Sequence, residues 1–323
     1  MKALAASTYG PLDNLRAIEV ETPEPGPGEV RVRIEASALN PADFKVILGQ
    51  LKFLHARNKP LVVGYDFSGT VDAVGSGAGS GGYARGDEVF GFLPYGPFNR
   101  RGAFAELVVA RVGEIARKPA GVPHHVAAAA ATTGITAIQA IRDVGRAAAG
   151  GRALITGVSG GVGSIAVGVA RRLGLAVTAL GSGTGLDAAQ RNGAADVLDR
   201  TKANVAQLAA GALKDRFDVV FDCTGFYRWR EWRGALKTGG AFVTTLPSLA
   251  LAMDWPASWL SSTRVGFVNV KSRPTDLDLL GDWLKDGLPV PIAATIPVRD
   301  VARGLAQLQR AGGRVAVTVA GGF

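Results

Sequence analysis

Four glycines at the start of the stretch "GVSGGVGSIAVGVARRLG" (157–174) carry chemistry that depends on the backbone. Gly157, Gly160 and Gly163 are spaced three residues apart, and Gly161 lies between them. Without a Cβ these positions allow a tight turn and let a pyrophosphate approach the backbone N–H groups. The pattern predicts a phosphate-binding turn. The residues expected to line it are Gly157, Ser159, Gly160, Gly161 and Val162.

The segments around this turn indicate a strand before it and a helix after it. "RALIT" (152–156) is a short apolar run typical of a buried strand. Ile165, Val169 and Leu173 recur at i, i+4 and i+8, which gives one apolar helical face. A helix N-terminus presents unpaired N–H groups and a positive dipole end, and both favour an anion. The alternative is a plain glycine-rich turn, so the wider context must decide.

That context is an alternation of strands and helices. Strands are predicted at 152–156, 176–182, 217–225, 240–246 and 264–270, with helices at 184–192, 201–213 and 228–237. Such alternation is typical of a parallel sheet covered by helices on both faces. We therefore expect a Rossmann-type dinucleotide-binding domain over residues 124–269.

The remaining segments have a different character. Residues 1–123 contain short alternating runs separated by Gly and Pro, at 29–39, 66–75, 87–93 and 103–110. They predict an antiparallel or barrel-like β domain. The C-terminal segment predicts a helix at 275–286, a strand at 292–296, a helix at 299–311 and a strand at 314–319. These elements could extend the parallel sheet or return to the first domain.

Composition narrows the class of protein. A length of 323 residues with 47% hydrophobic residues suits two domains. No membrane span or signal peptide is expected, and the single cysteine, Cys223, excludes an internal disulfide and fits a cytoplasmic protein. The net charge of +9 is interpreted mainly as solvated surface, with a site for phosphate-bearing ligands as the alternative. Nucleic-acid binding is not favoured, because no motif for it accompanies the charge.

The chain resembles the medium-chain dehydrogenase/reductase superfamily, in its zinc-free quinone oxidoreductase (zeta-crystallin-like) branch. The stretches that carry the resemblance are "PGPGEVRVRIEASALNPADFKVILG" (25–49), "GYDFSGTVDAVG" (64–75), "RGDEVFGF" (85–92), "GAFAELVVA" (102–110), "AAAAATTGITAIQAI" (127–141), "DVVFDCTG" (218–225) and "GGRVAVTV" (312–319), together with the glycine turn. The resemblance implies a GroES-like β-barrel catalytic domain formed by residues 1–123 and 270–323. The Rossmann NADP-binding domain, 124–269, would be inserted into it, with the active cleft between the two.

The zinc ligands of the superfamily are not expected in this chain. Zinc-bearing members place a cysteine where Asn40 falls and Gly-His-Glu where Gly64-Tyr65-Asp66 falls. The three histidines are His55, His124 and His125, and none has a carboxylate or thiolate at ligand spacing. We interpret the His124-His125 pair as a helix-entry turn and His55 as a loop residue, and we predict no metal.

The end of the second predicted strand favours NADPH over NADH. NAD-preferring sites place an acid there to bind the ribose 2′-OH, whereas this chain has no acid between 180 and 186. Hydroxyl and guanidinium groups could bind a 2′-phosphate instead. The candidates are Ser182, Thr184, Arg191 and Arg200. NADPH-using relatives usually carry a lysine soon after the serine, and the resemblance suggests that Arg200 replaces it.

At the nicotinamide end, the resemblance implies contacts from the side chains of Asn40 and Thr133. It also implies contacts from the backbone near Leu246, Phe267 and Val268. The alternatives are that Asn40 only forms a turn and that Thr133 is only a helix-interior hydroxyl. Cys223 is interpreted as a buried strand-end residue rather than a nucleophile.

The reaction implied is hydride transfer to a quinone or to the β-carbon of an α,β-unsaturated carbonyl. Such activated acceptors need orientation and a hydrogen bond to the developing oxyanion rather than a Lewis acid. Asn40, Asp43 and Tyr65 are the candidate catalytic residues, and loops 45–60 and 92–101 the candidate substrate loops. The alternatives are a 2-enoyl thioester (acryloyl-CoA-like) reductase and a non-enzymatic crystallin-like protein that binds NADPH or nucleic acid.

The last expectation concerns assembly. Members of this branch commonly pair through an edge strand, and the candidate edge, 264–270, is apolar and β-branched. Trp255 and Trp259 precede it and are typical interface anchors. A homodimer joined through residues 254–270 is therefore expected. The alternative is that both tryptophans pack within the chain's own cleft.

Overall fold

The computed structural model describes residues 1–50, 60–76, 81–95, 99, 101–202, 204–311 and 313–323. It divides into two compact units, the first formed by Met1–Thr132 with Lys271–Phe323 and the second by Thr133–Val270. Helix α2 (His124–Ile138) contributes residues to both units.

The first unit is built mainly of strands. These are β1 (Lys2–Ala6), β2 (Leu15–Glu19), β3 (Glu29–Ala38), β4 (Leu61–Val62), β5 (Asp66–Val74), β6 (Glu88–Phe92), β7 (Leu107–Arg111), β8 (Ile115–Arg117), β15 (Ile292–Pro297) and β16 (Arg314–Thr318). Its helices, besides the start of α2, are α1 (Pro41–Ile47), α8 (Pro274–Lys285) and α9 (Val301–Ala311).

Most strands of the first unit form one sheet in the order β15-β16-β3-β5-β6-β8, with β7 also paired to β3. Its pairs are antiparallel except β15 with β16, and β2-β1-β4 form a smaller sheet. Val30, Val32 and Ile34 alternate along β3 and are buried, as a half-buried strand requires. Because β16 pairs with β3, the C-terminal strands belong to this unit and do not extend the parallel sheet.

The second unit has the alternation that the sequence predicts. After α2 and a π-helical turn (Gln139–Val144) follow β9 (Arg152–Thr156), α3 (Gly161–Arg172), β10 (Ala176–Gly181), α4 (Thr184–Arg191), β11 (Asp196–Asp199), α5 (Val205–Ala210), β12 (Phe217–Asp222), α6 (Trp229–Trp232), β13 (Leu236–Thr244), α7 (Leu249–Trp259) and β14 (Arg264–Phe267). The strands form a parallel sheet in the order β11-β10-β9-β12-β13-β14. The predicted α/β fold class, a GroES-like part and a Rossmann-like part, is confirmed.

Several element boundaries differ from the sequence prediction. The helix predicted at 201–213 is α5 alone, because Asn204 caps its start and Gly211 ends it. The helix predicted at 228–237 is shorter too, since β13 already begins at Leu236.

The elements that were not predicted include the short strands β1, β2, β4 and β8 of the first unit, and also β11, α1 and α7. Strand β11 has four residues, two of them acidic. Helix α7 contains Pro256, which weakens its helical pattern, yet its start is capped by Ser248, whose Oγ accepts from the Leu251 amide. The predicted strand 264–270 ends earlier, at Phe267.

Candidate active site

The glycine turn lies between β9 and α3, where the sequence places it. Gly157 has a φ of +67°, which favours glycine, and Gly160 caps α3. A Cβ on Gly163 would overlap the carbonyl oxygen of Gly157. The turn therefore requires glycine at positions 157 and 163. It leaves the first N–H groups of α3 without helical partners, which suits a phosphate.

The end of β10 lies beside this turn. Ser159 Oγ donates to the carbonyl oxygen of Ser182 at 2.9 Å, and a Cβ on Gly185 would overlap Ser159. Arg200 Nε donates to Ser182 Oγ at 3.3 Å, and the Arg200 amide donates to the Gly181 carbonyl. The structure thus brings Ser182 and Arg200 together beside the glycine turn.

Thr184 and Arg191 are at opposite ends of α4. Thr184 begins the helix, one residue after Gly183, whereas exposed Arg191 lies in its last turn. Seven helical residues separate them by roughly 10 Å. Of these two candidates, the structure places Thr184 near Ser182 and Arg191 a helix length away.

Asp199, the carboxylate next to Arg200 in the sequence, hydrogen-bonds Thr201. Asp199 Oδ1 accepts from the Thr201 hydroxyl at 2.7 Å and from the Thr201 amide at 2.9 Å. These bonds hold the pKa of Asp199 below its usual value.

Three of the residues predicted for the nicotinamide end lie at the ends of the neighbouring strands β13 and β14. Leu246 is two residues past β13, and its amide donates to Thr244 Oγ1 at 3.4 Å. Phe267 ends β14, and the amide of buried Val268 donates to the Thr244 carbonyl at 3.0 Å. Thr133 is buried within α2. Leu246, Phe267 and Val268 therefore share the carboxyl edge of the sheet, where Rossmann-type ligands bind.

Phe226 is a residue of this edge that sequence reasoning missed. It follows β12 after Gly225, whose φ is +68°, and its side chain is 80% exposed. Its ring meets the Tyr227 ring edge-on at 5.4 Å. The signal was an aromatic pair directly after the "FDCTG" strand end, at the edge where cofactors bind.

Buried Asp222 fixes the loop that carries Phe226. Its Oδ1 accepts from the hydroxyls of Thr156 and Thr224, and its Oδ2 accepts from the Tyr227 amide at 3.2 Å. Cys223 is half-buried, and burial followed by the charge of Asp222 raises the pKa of its thiol well above the usual value. The thiol is therefore protonated and poorly suited to act as a nucleophile.

A second cluster, in the first unit, contains the predicted catalytic residues and is centred on Asp66. This fully buried carboxylate accepts from Arg314 Nη2 at 2.7 Å and Asn40 Nδ2 at 2.9 Å through Oδ2. Its Oδ1 accepts from the Thr132 amide and hydroxyl at 2.9 and 2.5 Å. We call Asn40, Asp43, Tyr65, Asp66, Tyr95, Thr132 and Arg314 the Asp66 cluster. Sequence reasoning named three of its members and missed the other four, Asp66, Tyr95, Thr132 and Arg314.

Asn40 is the capping residue that precedes α1. Its backbone N–H donates to Asp43 Oδ2 at 2.7 Å, and its side-chain oxygen accepts from Arg314 Nη1 at 2.9 Å. Tyr65 is 3% exposed and stacks on half-buried Tyr95, with ring centroids 4.0 Å apart. The structure thus brings Asn40, Asp43 and Tyr65 into one cluster.

The donor set of this cluster does not fit a zinc ion. Asp66 already accepts four hydrogen bonds, and the Asn40 amide bonds Asp66 and Arg314. A guanidinium beside these groups would repel a second cation, and amides are poor zinc ligands. Within the described residues, no group of three or more His, Cys, Asp or Glu side chains could hold a metal.

The structure shows the contacts of His124, the first residue of the predicted His124-His125 helix-entry turn. His124 begins α2, with Nδ1 2.8 Å from Ser68 Oγ and Nε2 3.0 Å from Glu88 Oε1. His55 lies outside the described residues, and so does much of the loops 45–60 and 92–101.

Among the described helices, none is long and apolar enough to span a membrane.

Comparison with known proteins agrees with both halves of the architecture. Residues 26–120 match the family model "Alcohol dehydrogenase GroES-like domain", and residues 161–265 match "Zinc-binding dehydrogenase". The chain is 32% identical over 261 residues to a chloroplastic quinone-oxidoreductase homolog of Spinacia oleracea, covering 79% of this chain and 78% of that protein. The chain belongs to the medium-chain dehydrogenase/reductase superfamily.

A second sequence relative and a solved structure are also similar to this chain. A 2-methylene-furan-3-one reductase of Solanum lycopersicum is 36% identical, covering 75% of this chain and 61% of that protein. The quinone oxidoreductase structure from Coxiella burnetii superposes with a TM-score of 0.85 at 24% identity, covering 99% of both chains, and supports the fold. The protein is an NAD(P)H-dependent oxidoreductase whose homologues include quinone oxidoreductases and an enone reductase.

Proposed function

We propose that this oxidoreductase uses NADPH, requires no zinc, and reduces a quinone or an α,β-unsaturated carbonyl compound. The observation that carries the proposal is the Asp66 cluster. The Asp66 carboxylate, which a catalytic metal would need as a ligand, is already paired with Arg314 and hydrogen-bonded to Asn40. An acceptor at such a site must already be electron-poor, because no metal would polarise its carbonyl. Quinones and enones meet this requirement.

The pair Ser182 and Arg200 supports NADPH as the cofactor. The hydroxyl and the exposed guanidinium are joined by a hydrogen bond beside the glycine turn, and a 2′-phosphate would accept from both. Thr184 would add a hydroxyl at the start of α4. When bound, NADPH supplies the hydride; the chain supplies the phosphate donors and the exposed ring of Phe226, which offers a stacking surface to the adenine.

The stacked tyrosines are part of the Asp66 cluster. Tyr65 is buried against half-buried Tyr95, and the Tyr65 hydroxyl is the group that we propose donates to the developing oxyanion or enolate. Asn40 and Asp43 hold this arrangement through the start of α1. Relatives named for quinone and furanone reduction make this acceptor class the first to test.

We also propose a homodimer joined through residues 254–270. Strand β14 is the edge of the parallel sheet, and the neighbouring end of α7 exposes Trp259 (77%) and Leu260 (96%). A groove of about 410 Å³ beside this edge is lined by Trp255, Trp259 and Arg264, among others. An open edge with apolar anchors suits pairing with a second copy.

The direct test is a parallel acceptor panel. NADPH fluorescence on mixing reports binding, and absorbance reports NADPH oxidation by 9,10-phenanthrenequinone, 1,4-benzoquinone, an enone and crotonyl-CoA. We expect binding, and turnover with the quinones and the enone. Exclusive turnover of crotonyl-CoA would favour the thioester reductase, and binding without any turnover would favour a non-enzymatic role.

A further inference from the structure

Asn40 occupies the capping position before α1, but its side chain does not cap the helix. An asparagine at this position usually accepts a hydrogen bond from a backbone N–H of the first helical turn. Here Asp43 Oδ2 accepts from the Asn40 backbone N–H at 2.7 Å, and the Asn40 side-chain amide takes no part in the cap. The Asn40 amide is therefore engaged in another interaction.

That interaction is with the ion pair formed by Asp66 and Arg314. Asn40 Oδ1 accepts from Arg314 Nη1 at 2.9 Å, and Asn40 Nδ2 donates to Asp66 Oδ2 at 2.9 Å. Arg314 Nη2 donates to the same carboxylate oxygen at 2.7 Å. The three side chains thus form a closed ring of hydrogen bonds, and each residue is at most 4% exposed.

The charges of the ion pair fix the orientation of the Asn40 amide. In the opposite orientation, the amide NH₂ group would face the guanidinium and the amide oxygen would face the carboxylate. Neither contact could be a hydrogen bond, because a guanidinium has no acceptor and a carboxylate has no donor. Since unpaired polar groups are costly when they are buried, the amide keeps one orientation.

Both members of the ion pair are anchored to their surroundings. Arg314 Nε donates to the Ala129 carbonyl at 2.9 Å, and Nη1 donates to the Leu39 carbonyl at 2.7 Å. Asp66 Oδ1 accepts from the amide and the hydroxyl of Thr132 at 2.9 and 2.5 Å. The ion pair therefore forms a fixed frame against which the Asn40 amide is held.

One N–H of the Asn40 amide remains available to a ligand. The Nδ2 group carries two hydrogens, and Asp66 accepts one of them. Among the described residues, Nδ2 has no second acceptor. The two hydrogens of a planar amide diverge, so the second N–H points away from the ion pair.

The charge balance around Asn40 suits an oxygen that gains negative charge. The Asp66 carboxylate is neutralised by Arg314. Burial raises the pKa of Asp43 to about 8, despite the hydrogen bond from the Asn40 backbone N–H, so this carboxyl group is largely neutral at pH 7. A developing oxyanion beside Asn40 would thus meet an N–H donor and no unbalanced carboxylate.

We propose that the Asn40 amide donates its second N–H to the carbonyl oxygen of the acceptor, and that Asp66 and Arg314 are the positioning residues that aim it. The inference rests on the proposed function and adds a second donor to the Tyr65 hydroxyl. A donor that is already oriented needs no rearrangement when the charge develops, which is the condition for effective oxyanion stabilisation.

The chemistry of the enone reaction shows where this donor acts. Hydride addition to the β-carbon breaks the C=C π bond, whose electrons form a new double bond to the carbonyl carbon. The carbonyl π electrons move onto oxygen, and an enolate results. The Asn40 N–H hydrogen-bonds this oxygen without giving up its proton, and the α-carbon then takes a proton from water.

Asn40→Ala is the direct test, because it deletes the amide and leaves the Asp66–Arg314 pair in place. Removing one oxyanion donor typically lowers kcat about 10²–10³-fold, and the Tyr65 hydroxyl would still be present in this variant. We therefore expect kcat with cyclohexenone to fall about 100-fold. KM should change less than about threefold, because the bond strengthens only as charge develops on the oxygen.

Arg314→Lys tests the positioning role. Lysine keeps the positive charge opposite Asp66, but one ammonium group cannot reproduce the guanidinium's bonds to Asp66, the Asn40 amide and two backbone carbonyls. We expect kcat to fall about 10-fold as the amide loses its fixed orientation. The double variant should be no slower than Asn40→Ala, because a positioning residue has no effect once the group that it positions is absent.

Arg31→Lys is the matched control, since it makes the same substitution in another ion pair of the same sheet. Arg31 Nε donates to Asp72 Oδ2 at 2.8 Å. Along β3, Arg31 and Ala38, the residue paired with Asp66, are about 23 Å apart. This variant should keep kcat within about twofold of wild type.

Binding of a stable oxyanion gives a readout without turnover. 4-Nitrophenolate carries negative charge on an oxygen attached to a planar ring, and its absorbance reports binding. Its Kd should be about tenfold higher for Asn40→Ala than for wild type, the scale of one hydrogen bond to a charged group. Neutral 4-nitroanisole should bind to both proteins alike.

Each outcome decides part of the proposal. If wild type reduces cyclohexenone but Asn40→Ala loses less than about threefold in kcat, or binds 4-nitrophenolate equally well, the donor role is overturned and the proposed function stands. Losses that multiply in the double variant would overturn the positioning role of Arg314. If Arg314→Lys does not fold, Thr132→Val, which removes one anchor of Asp66 without removing a charge, takes its place in the same comparison. A wild type that binds NADPH but reduces no acceptor would overturn both the inference and the proposed function.

Discussion

Arg200→Ala tests the phosphate pocket most directly. The guanidinium already donates through Nε to Ser182 Oγ, so its terminal nitrogens remain available to a 2′-phosphate while Ser182 holds the group in place. A hydrogen bond to a charged group contributes about 1.5–3 kcal/mol. Since Arg200 is exposed, we take the lower part of that range, about 1.5–2 kcal/mol. The Kd for NADPH should therefore rise by roughly 10- to 30-fold.

The assay is fluorescence titration of both cofactors with wild type and variant. NADH lacks the phosphate, so its Kd should change by less than about twofold, and wild type should bind NADPH at least roughly tenfold more tightly than NADH. The NADPH advantage should shrink as ionic strength rises from about 10 mM to 0.5 M, because the exposed pair is screened.

Lys202→Ala is the matched control. Lys202 is 84% exposed, lies two residues from Arg200 and approaches Asp199 at 3.9 Å. Its removal deletes the same charge without touching Ser182. Equal weakening of NADPH and NADH by Arg200→Ala would show a structural role, and an equal NADPH loss in Lys202→Ala would show a general charge effect. Either result refutes the assigned pocket.

Three further predictions concern the adenine end, the interface and the metal. Phe226→Ala should weaken NADPH and NADH alike by about 2- to 13-fold, the scale of one aromatic contact, whereas Phe226→Tyr should preserve binding; discrimination between the cofactors would contradict an adenine contact. Light scattering should give a dimer at micromolar concentration, and Leu260→Asp, which places a charge at the exposed end of α7 within the proposed interface, should yield monomer. A monomeric wild type would refute the dimer, and an intact dimer in the variant would refute the interface. Activity should survive exhaustive chelation, and stoichiometric zinc by elemental analysis would overturn the zinc-independent proposal.

The parallel half of the fold could be predicted from sequence because its signals are local. Glycines with a tight turn, followed by an apolar helical face, leave few conformations open, and β9, α3 and β10 fall within a residue or two of the expected positions. Helix α7 escaped prediction because Pro256 interrupts it and its almost entirely apolar sequence shows no amphipathic periodicity, while Ser248 supplies a start signal that was not weighed. Its buried Asp254 accepts from Arg228 and Arg230, a pairing that no local pattern encodes.

The candidate site could also be predicted from the sequence only in part. Resemblance placed Asn40, Asp43 and Tyr65 near one another, and local spacing placed Ser182 at the strand end. Arg314 could not be assigned, because its partner lies 248 residues away and an arginine in a short β-strand has no signature of its role. Phe226 could have been found from its position after β12, had the carboxyl edge been searched for exposed aromatic residues.

The distance between Asp66 and Arg314 along the chain also has a consequence for synthesis. The carboxylate is synthesised 248 residues before the guanidinium that neutralises it. Until then, the first unit lacks both this charge and the β16 strand that pairs with β3. We therefore expect a nascent chain ending before residue 314 to hold a folded second unit beside an incomplete first one. Assembly of the Asp66 cluster therefore waits for synthesis of strand β16.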